Sequence, residues 1–76
     1  MSAWLVTGPH GKRTAPSWPR AVDMLAQDLK TTWMRTGGMG ERAAELQAWA
    51  GVEMLEPYEP CAVTACGQRH AIERAP

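Results

Sequence analysis

The sequence predicts an α+β fold, in which a small antiparallel sheet of three to four short strands carries two helices packed on one face. Runs of residues that favour strands lie near both ends of the chain, and the middle carries apolar side chains at a helical period. The chain has 76 residues, enough for one hydrophobic core and too few for two. We therefore expect residues 1–76 to form a single compact domain.

The first predicted element is a strand over residues 3–7, an apolar run that stops at a turn over residues 8–11. Residues 12–15 can return as a second strand. Pro16 has no amide hydrogen to give to a neighbouring strand, so this second strand is expected at the edge of the sheet.

A long helix is predicted over residues 18–36. Ser17 offers an N-cap, and Pro19 falls in the first turn, where a missing amide hydrogen costs nothing. Gly37 and Gly38 end the helix in the manner of a left-handed C-terminal cap. Its apolar side chains recur on one stripe, which consists of Trp18, Ala21, Val22, Leu25, Leu29 and Trp33.

A second, shorter helix is predicted to begin at Glu41, whose charge favours a helix N-terminus, and to end at Gly51. Its apolar face is expected to consist of Ala43, Leu46, Trp49 and Ala50. Residues 52–55 then favour a third short strand. Prolines three apart occur at 16–19 and at 57–60, which we interpret as a helix start and as an extended spacer.

The chain is predicted to close with a hairpin of residues 61–65 and 69–72. A two-residue turn at Cys66 and Gly67 places Val63 opposite His70, and Cys61 opposite Ile72. This register gathers the larger apolar side chains of the hairpin on one face. The same extended geometry holds the two cysteines too far apart for a disulfide.

Composition narrows the class of protein. Eight Lys plus Arg balance eight Asp plus Glu, so no overall field attracts nucleic acid or an anionic membrane. The sequence contains neither an apolar run of membrane-spanning length nor a secretory signal, and two cysteines do not make a disulfide framework. We expect a cytoplasmic protein with no membrane association.

No catalytic constellation assembles from the sequence, which predicts a non-enzymatic protein without cofactors. A small zinc-binding module is kept as an alternative, because Cys61, Cys66, His70 and His10 are suitable ligand types. Their spacing is unlike the paired ligands of structural zinc sites, so no metal is expected.

The leading functional prediction is a small protein-interaction module, an accessory or inhibitor protein of bacterial or phage origin that binds a larger macromolecule. Met24 and Met34 are predicted to project outward from the long helix beside Arg20 and Arg35, and such a combination of Met and Arg is typical of binding surfaces. The predicted partner-binding residues are Met24, Met34, Arg20, Arg35 and Gln27.

Charge is also uneven along the chain, since residues 1–40 carry five basic and two acidic side chains and residues 41–76 carry three and six. A second alternative is therefore weak nucleic-acid binding by a basic N-terminal strip of Lys12, Arg13 and Arg20. The identity of the protein partner and the oligomeric state stay open.

Overall fold

The structure is a computed structural model that describes residues 3–76. Its elements are β1 (Trp4–Gly8), β2 (Gly11–Ala15), α1 (Trp18–Arg35), α2 (Glu41–Glu53), β3 (Cys61–Ala65) and β4 (Gln68–Arg74). The four strands form one antiparallel sheet in the order β2-β1-β4-β3. The predicted α+β class with helices packed against a small antiparallel sheet is confirmed.

Both predicted hairpins are present. The β1–β2 hairpin pairs Gly8 with Gly11 beside its turn, and β2 lies at the sheet edge as predicted. In the β3–β4 hairpin Val63 lies opposite His70, and the turn residues Cys66 and Gly67 have φ values of 53° and 74°. Two consecutive positive φ values are the signature of a type I′ turn, which matches the right-handed twist of the strands it joins.

The predicted start of α1 is confirmed in detail. The Ser17 side chain accepts a hydrogen bond from the Arg20 amide at 3.3 Å, and Pro19 lies in the first turn. Thr36 caps the C-terminus, followed by Gly38 with φ 68°. The predicted apolar stripe faces the core, with Trp18, Ala21, Leu25 and Leu29 buried and Val22 and Trp33 half-buried against it.

The second helix differs from its prediction at its C-terminus. It continues through Gly51 to Glu53, with Met54 as its C-cap, so the predicted third strand over residues 52–55 is wrong. Val52 lies one turn after Ala48, and both are buried in the same core cluster. Burial of Val52 stabilises this additional stretch of helix, because packing rather than propensity holds a short helix.

The buried face of α2 matches its prediction only in part, because Trp49 is half-buried against the core but Ala43, Leu46 and Ala50 are exposed. Its buried residues are Ala44, Ala48 and Val52, whereas Leu46 is 62% exposed. Small side chains allow two helices to approach closely, so the alanine face rather than the leucine face lies against α1.

The core lies between the sheet and the two helices. Trp4 and Val6 of β1 and Ile72 of β4 pack beneath α1, and α2 packs mainly on α1. The opposite face of the sheet has no helix over it among residues 3–76, and it exposes Lys12, Thr14, Ala62 and Thr64. Within the same residues, neither helix has the length and apolarity needed to cross a membrane.

Candidate functional site

A groove opens at the end of the sheet where β1 and α1 begin and β4 ends. Its volume is about 360 Å³, within the range of about 300–1,000 Å³ common for ligand pockets. We call it the aromatic groove, and it is lined by Trp4, Pro16, Ser17, Trp18, Pro19, Tyr58 and Arg74.

Three aromatic rings contact one another in sequence along this groove. The Trp4 and Trp18 ring centroids lie 5.0 Å apart at an interplanar angle of 70°, and Tyr58 lies 5.8 Å from Trp18 at 33°. The two tryptophans are buried, whereas Tyr58 is 57% exposed. The indoles thus form a rigid floor, and Tyr58 forms an accessible wall.

Arg74 fixes that wall in place. Its guanidinium carbon lies 5.4 Å from the Trp4 ring centroid, and its Nη2 donates a hydrogen bond to the Tyr58 carbonyl oxygen at 3.2 Å. Tyr58 has φ 60°, a backbone conformation that non-glycine residues seldom adopt. The hydrogen bond and the ring contact with Trp18 hold it there.

The charge of Arg74 is not neutralised within the described chain. The ion pairs of residues 3–76 join Arg13 to Asp28, Arg20 to Asp23, Lys30 to Glu41 and Arg69 to Glu73. Arg74 therefore presents a guanidinium without a carboxylate partner at the wall of an aromatic groove.

The aromatic groove was not predicted as a site. Most of its lining comes from the two proline segments at 16–19 and 57–60, whose sequence patterns predict a helix start and a spacer. Each segment carries an aromatic residue between its prolines, Trp18 in the first and Tyr58 in the second. This shared pattern was the available signal, but their contact is tertiary and does not show in the sequence.

A second cluster of polar side chains lies under α1. Thr32 Oγ1 lies 3.1 Å from His10 Nε2 and 3.0 Å from His70 Nε2, so two imidazoles share one hydroxyl. His70 is fully buried, and its Nδ1 has no hydrogen-bond partner among the described residues. One turn earlier on α1, the buried Asp28 pairs with Arg13 of β2.

Burial lowers the pKa of His70 below the ordinary histidine value. The carboxylate of Asp28 opposes this shift in pKa, and His10 adds to it. A neutral His70 can donate from Nε2 to Thr32, which can then donate to His10. The unpartnered Nδ1 is in that case only an acceptor, a smaller penalty than an unpaired buried N–H.

A hydroxyl beside an imidazole is also the pairing of a nucleophile with its base. Thr32 is fully buried, however, so this hydroxyl is closed to a substrate. The cluster joins the β1–β2 turn to α1 and β4, and its role in this structure is to hold these elements together.

The four candidate zinc ligands do not assemble. His10 and His70 are close, with ring centroids 6.2 Å apart, but both cysteines are free thiols elsewhere on the β3–β4 hairpin. Burial raises the pKa of the Cys61 thiol, and Cys66 lies beside Gly37. Residues 3–76 contain no group of three or more His, Cys, Asp or Glu side chains placed to hold a metal ion.

The predicted methionine surface is only partly formed. Met34 is 38% exposed, but the expectation that Met24 projects outward is wrong, because Met24 is half-buried against the core. Since α1 contacts both the sheet and α2, it buries more than the single stripe seen in the sequence. Gln27, Arg35 and Arg20 are exposed, and Arg20 pairs with Asp23 at 3.6 Å.

The predicted basic strip is divided between surfaces. Strand register places Arg13 opposite Val6 on the helix side of the sheet, where it pairs with Asp28, and Lys12 opposite Thr7 on the open side. Arg20 lies on α1. The three cations do not share one face.

Comparison of the chain with family models, with curated proteins and with solved structures returned no match.

Proposed function

We propose that this protein is a small interaction module that binds an extended, proline-containing segment of a partner protein in the aromatic groove. The observation that carries the proposal is the convergence of three aromatic rings and one unpaired guanidinium on the same exposed depression. The proposal keeps the protein partner predicted from the sequence and moves its binding site from α1 to this groove.

The lining suits a proline-rich segment. Proline-rich peptides already populate a polyproline II conformation, so they lose little entropy on binding, and they dock on aromatic-lined grooves. The accessible ring is that of Tyr58, which is 57% exposed and lies 5.8 Å from the buried Trp18 ring, so an apolar side chain or a pyrrolidine would pack on Tyr58. The exposed wall at Tyr58 gives such a segment direct access from solvent.

Arg74 adds selectivity for charge. Its side chain is held by the Trp4 ring and by the Tyr58 carbonyl, so pairing with a ligand requires little further ordering. A guanidinium binds a carboxylate with two parallel hydrogen bonds. The favoured segment therefore carries an acidic side chain next to its proline or apolar residues.

Such a module acts without catalysis. By occupying a segment of a larger protein it can block or bridge that protein, which is the accessory or inhibitory mode predicted from the sequence. The neutral net charge supports a partner recognised by local contacts rather than by a long-range field.

The test is a selection of displayed random peptides on the full chain, followed by NMR titration of the selected peptides. We expect enrichment of peptides that combine proline with Asp or Glu. The indole N–H signals of Trp4 and Trp18 should shift, and those of Trp33 and Trp49, which lie outside the groove, should not.

Substitutions at two exposed residues of the groove test whether the selected peptides bind there. Tyr58→Ala and Arg74→Gln should each weaken binding of the selected peptides at least several-fold, and Arg69→Gln should not. Arg69 is a suitable control because it is exposed on β4 and outside the groove. Selection of no motif, or of peptides that bind the Tyr58→Ala variant equally well, would refute the proposal.

The other functions predicted from the sequence are tested separately. A gel shift at low salt tests nucleic-acid binding by Lys12, Arg13 and Arg20, and elemental analysis tests for zinc. The surface on α1 is tested by Met34→Glu alone, because a charge at the half-buried Met24 would also disturb the core.

A further inference from the structure

The second helix carries apolar side chains on two sides, and only one of them is covered. Ala44, Ala48 and Val52 are buried on the α1 side. The other side presents Ala43, Leu46 and Ala50, and the C-cap residue Met54 continues this outer stripe just past the last helical residue. Leu46 is 62% exposed and Met54 is 86% exposed, and both alanines are also exposed.

The spacing of the outer stripe is that of a helix-pairing seam. Successive members are three, four and four residues apart, so they lie one above another on the helix surface. This stripe contains three of the four residues that the sequence predicts as the apolar face of α2. Within residues 3–76 no element covers it, because α2 lies on the outside of α1.

We propose that the outer stripe is the contact between two copies of this chain, with the α2 helices packed antiparallel. In that arrangement Leu46 of one copy lies against Ala50 of the other, and Met54 lies against Ala43. Each large side chain then meets a small one, which is how facing layers interdigitate. A parallel pair would instead set Leu46 against Leu46 and leave the alanines facing each other across a gap.

The charges beside the stripe favour the same arrangement. At 100° per residue, Arg42 and Glu53 lie on the same flank of the stripe, at its opposite ends. Antiparallel pairing brings like flanks of two helices together in reversed order, so Arg42 of each copy meets Glu53 of the other. Neither residue forms an ion pair with any other described residue.

The small area of this contact predicts a weak dimer. A helix of 13 residues is about 20 Å long, and one pair of such helices covers less than the about 1,200–2,000 Å² of standard stable interfaces. The dimer is therefore reversible and dissociates on dilution. The aromatic groove lies at another part of the molecule, so this inference is independent of peptide binding.

Sedimentation equilibrium of the full chain over a concentration series tests the proposal. The average mass of the wild type should rise toward twice the monomer mass with concentration, and Leu46→Glu should remain a monomer throughout. Thr64→Glu is the control, because it adds the same charge at an exposed position on the open face of the sheet. A monomer at every wild-type concentration, or a dimer that persists in Leu46→Glu, would overturn the proposal.

A charge exchange tests the orientation and separates a second copy from nonspecific association. Arg42→Glu and Glu53→Arg should each weaken the dimer several-fold, and the double variant R42E/E53R should restore it. Both positions lie on exposed parts of α2, and far-UV circular dichroism checks that each variant is folded. Failure of the double variant to restore association would exclude the antiparallel arrangement.

Discussion

The imidazole of His70 and the hydroxyl of Thr32 meet at 3.0 Å, and both side chains are fully buried. This contact ties β4 to α1, and the second hydrogen bond of Thr32 extends it to His10 in the β1–β2 turn. In a core built mainly of small apolar residues, one polar link of this kind fixes how the helix sits on the sheet.

Stability should fall as the pH falls below the ordinary histidine pKa of 6.5. Burial lowers the pKa of folded His70, so the unfolded chain binds the proton more readily, and protonation favours unfolding. The contribution of neutral His70 to the free energy of unfolding is fully present above pH 6.5. It declines as the pH falls below that value, and the decline stops below the pKa of His70 in the folded protein. Urea denaturation across this range should show a slope of at most about 1.4 kcal/mol per pH unit from this group.

The variant His70→Gln is the control for that slope. Glutamine can place an amide near the position of Nε2, but it does not titrate. Its stability should be lower overall and flatter over the same pH range. An unchanged pH slope in His70→Gln would mean that another group is responsible.

Thr32→Val should destabilise the fold by about 1–3 kcal/mol, because it leaves the buried His70 Nε2 without a partner. The neighbouring Thr31 is the comparison. It bonds the Gln27 carbonyl at 3.1 Å on the exposed side of α1, and Thr31→Val should stay within about 0.5 kcal/mol of the wild type. Equal effects in urea denaturation would contradict the assigned role of Thr32.

Removing the Arg13 charge should destabilise the fold more than removing the Arg20 charge. The Asp28 side chain is 11% exposed, so Arg13→Met leaves a largely buried carboxylate and should cost about 1.5–3 kcal/mol. The pair between Arg20 and Asp23 is exposed, and Arg20→Met should cost at most about 1 kcal/mol. Thermal unfolding at low and high salt compares them, and a larger effect of Arg20→Met would be inconsistent with this structure.

Gly37→Ala should lower the stability of the fold more than Gly40→Ala does, although both glycines lie between the two helices. A Cβ at Gly37 would fall 2.7 Å from the Trp33 carbonyl oxygen, which is backbone and cannot move aside cheaply. We expect a loss of about 1–3 kcal/mol at Gly37. A Cβ at Gly40 meets no atom of the described chain within 4 Å and its φ is −66°, so Gly40→Ala should be close to neutral. Similar midpoints for both variants in urea would refute the close approach at Gly37.

Local rules explain which elements were predicted well. The Ser17 cap, the proline in the first turn of α1 and the turn at Cys66 and Gly67 act within a few residues, so the sequence shows them directly. The register of the final hairpin follows from its turn length. Propensity at residues 52–55 also favoured a strand, and there it was overruled by burial of Val52.

The candidate sites were predicted less well, since they depend on contacts between distant segments. Tyr58 meets Trp18 across a separation of forty residues, and Arg74 reaches both Trp4 and Tyr58. His10 and His70 converge on Thr32 from opposite ends of the chain. Neither cluster has a spacing that a sequence motif could reveal.

The sequence by itself determined the α+β class, both hairpins, the start of α1 and the side of α1 that faces the core. These depend on turn chemistry, capping and apolar period, all of which are local. Tertiary structure alone decided which side of α2 is buried, because alanines permit an approach to α1 that Leu46 would prevent. It also decided that two proline segments close into one groove, since long-range packing brings together residues that local preference leaves apart.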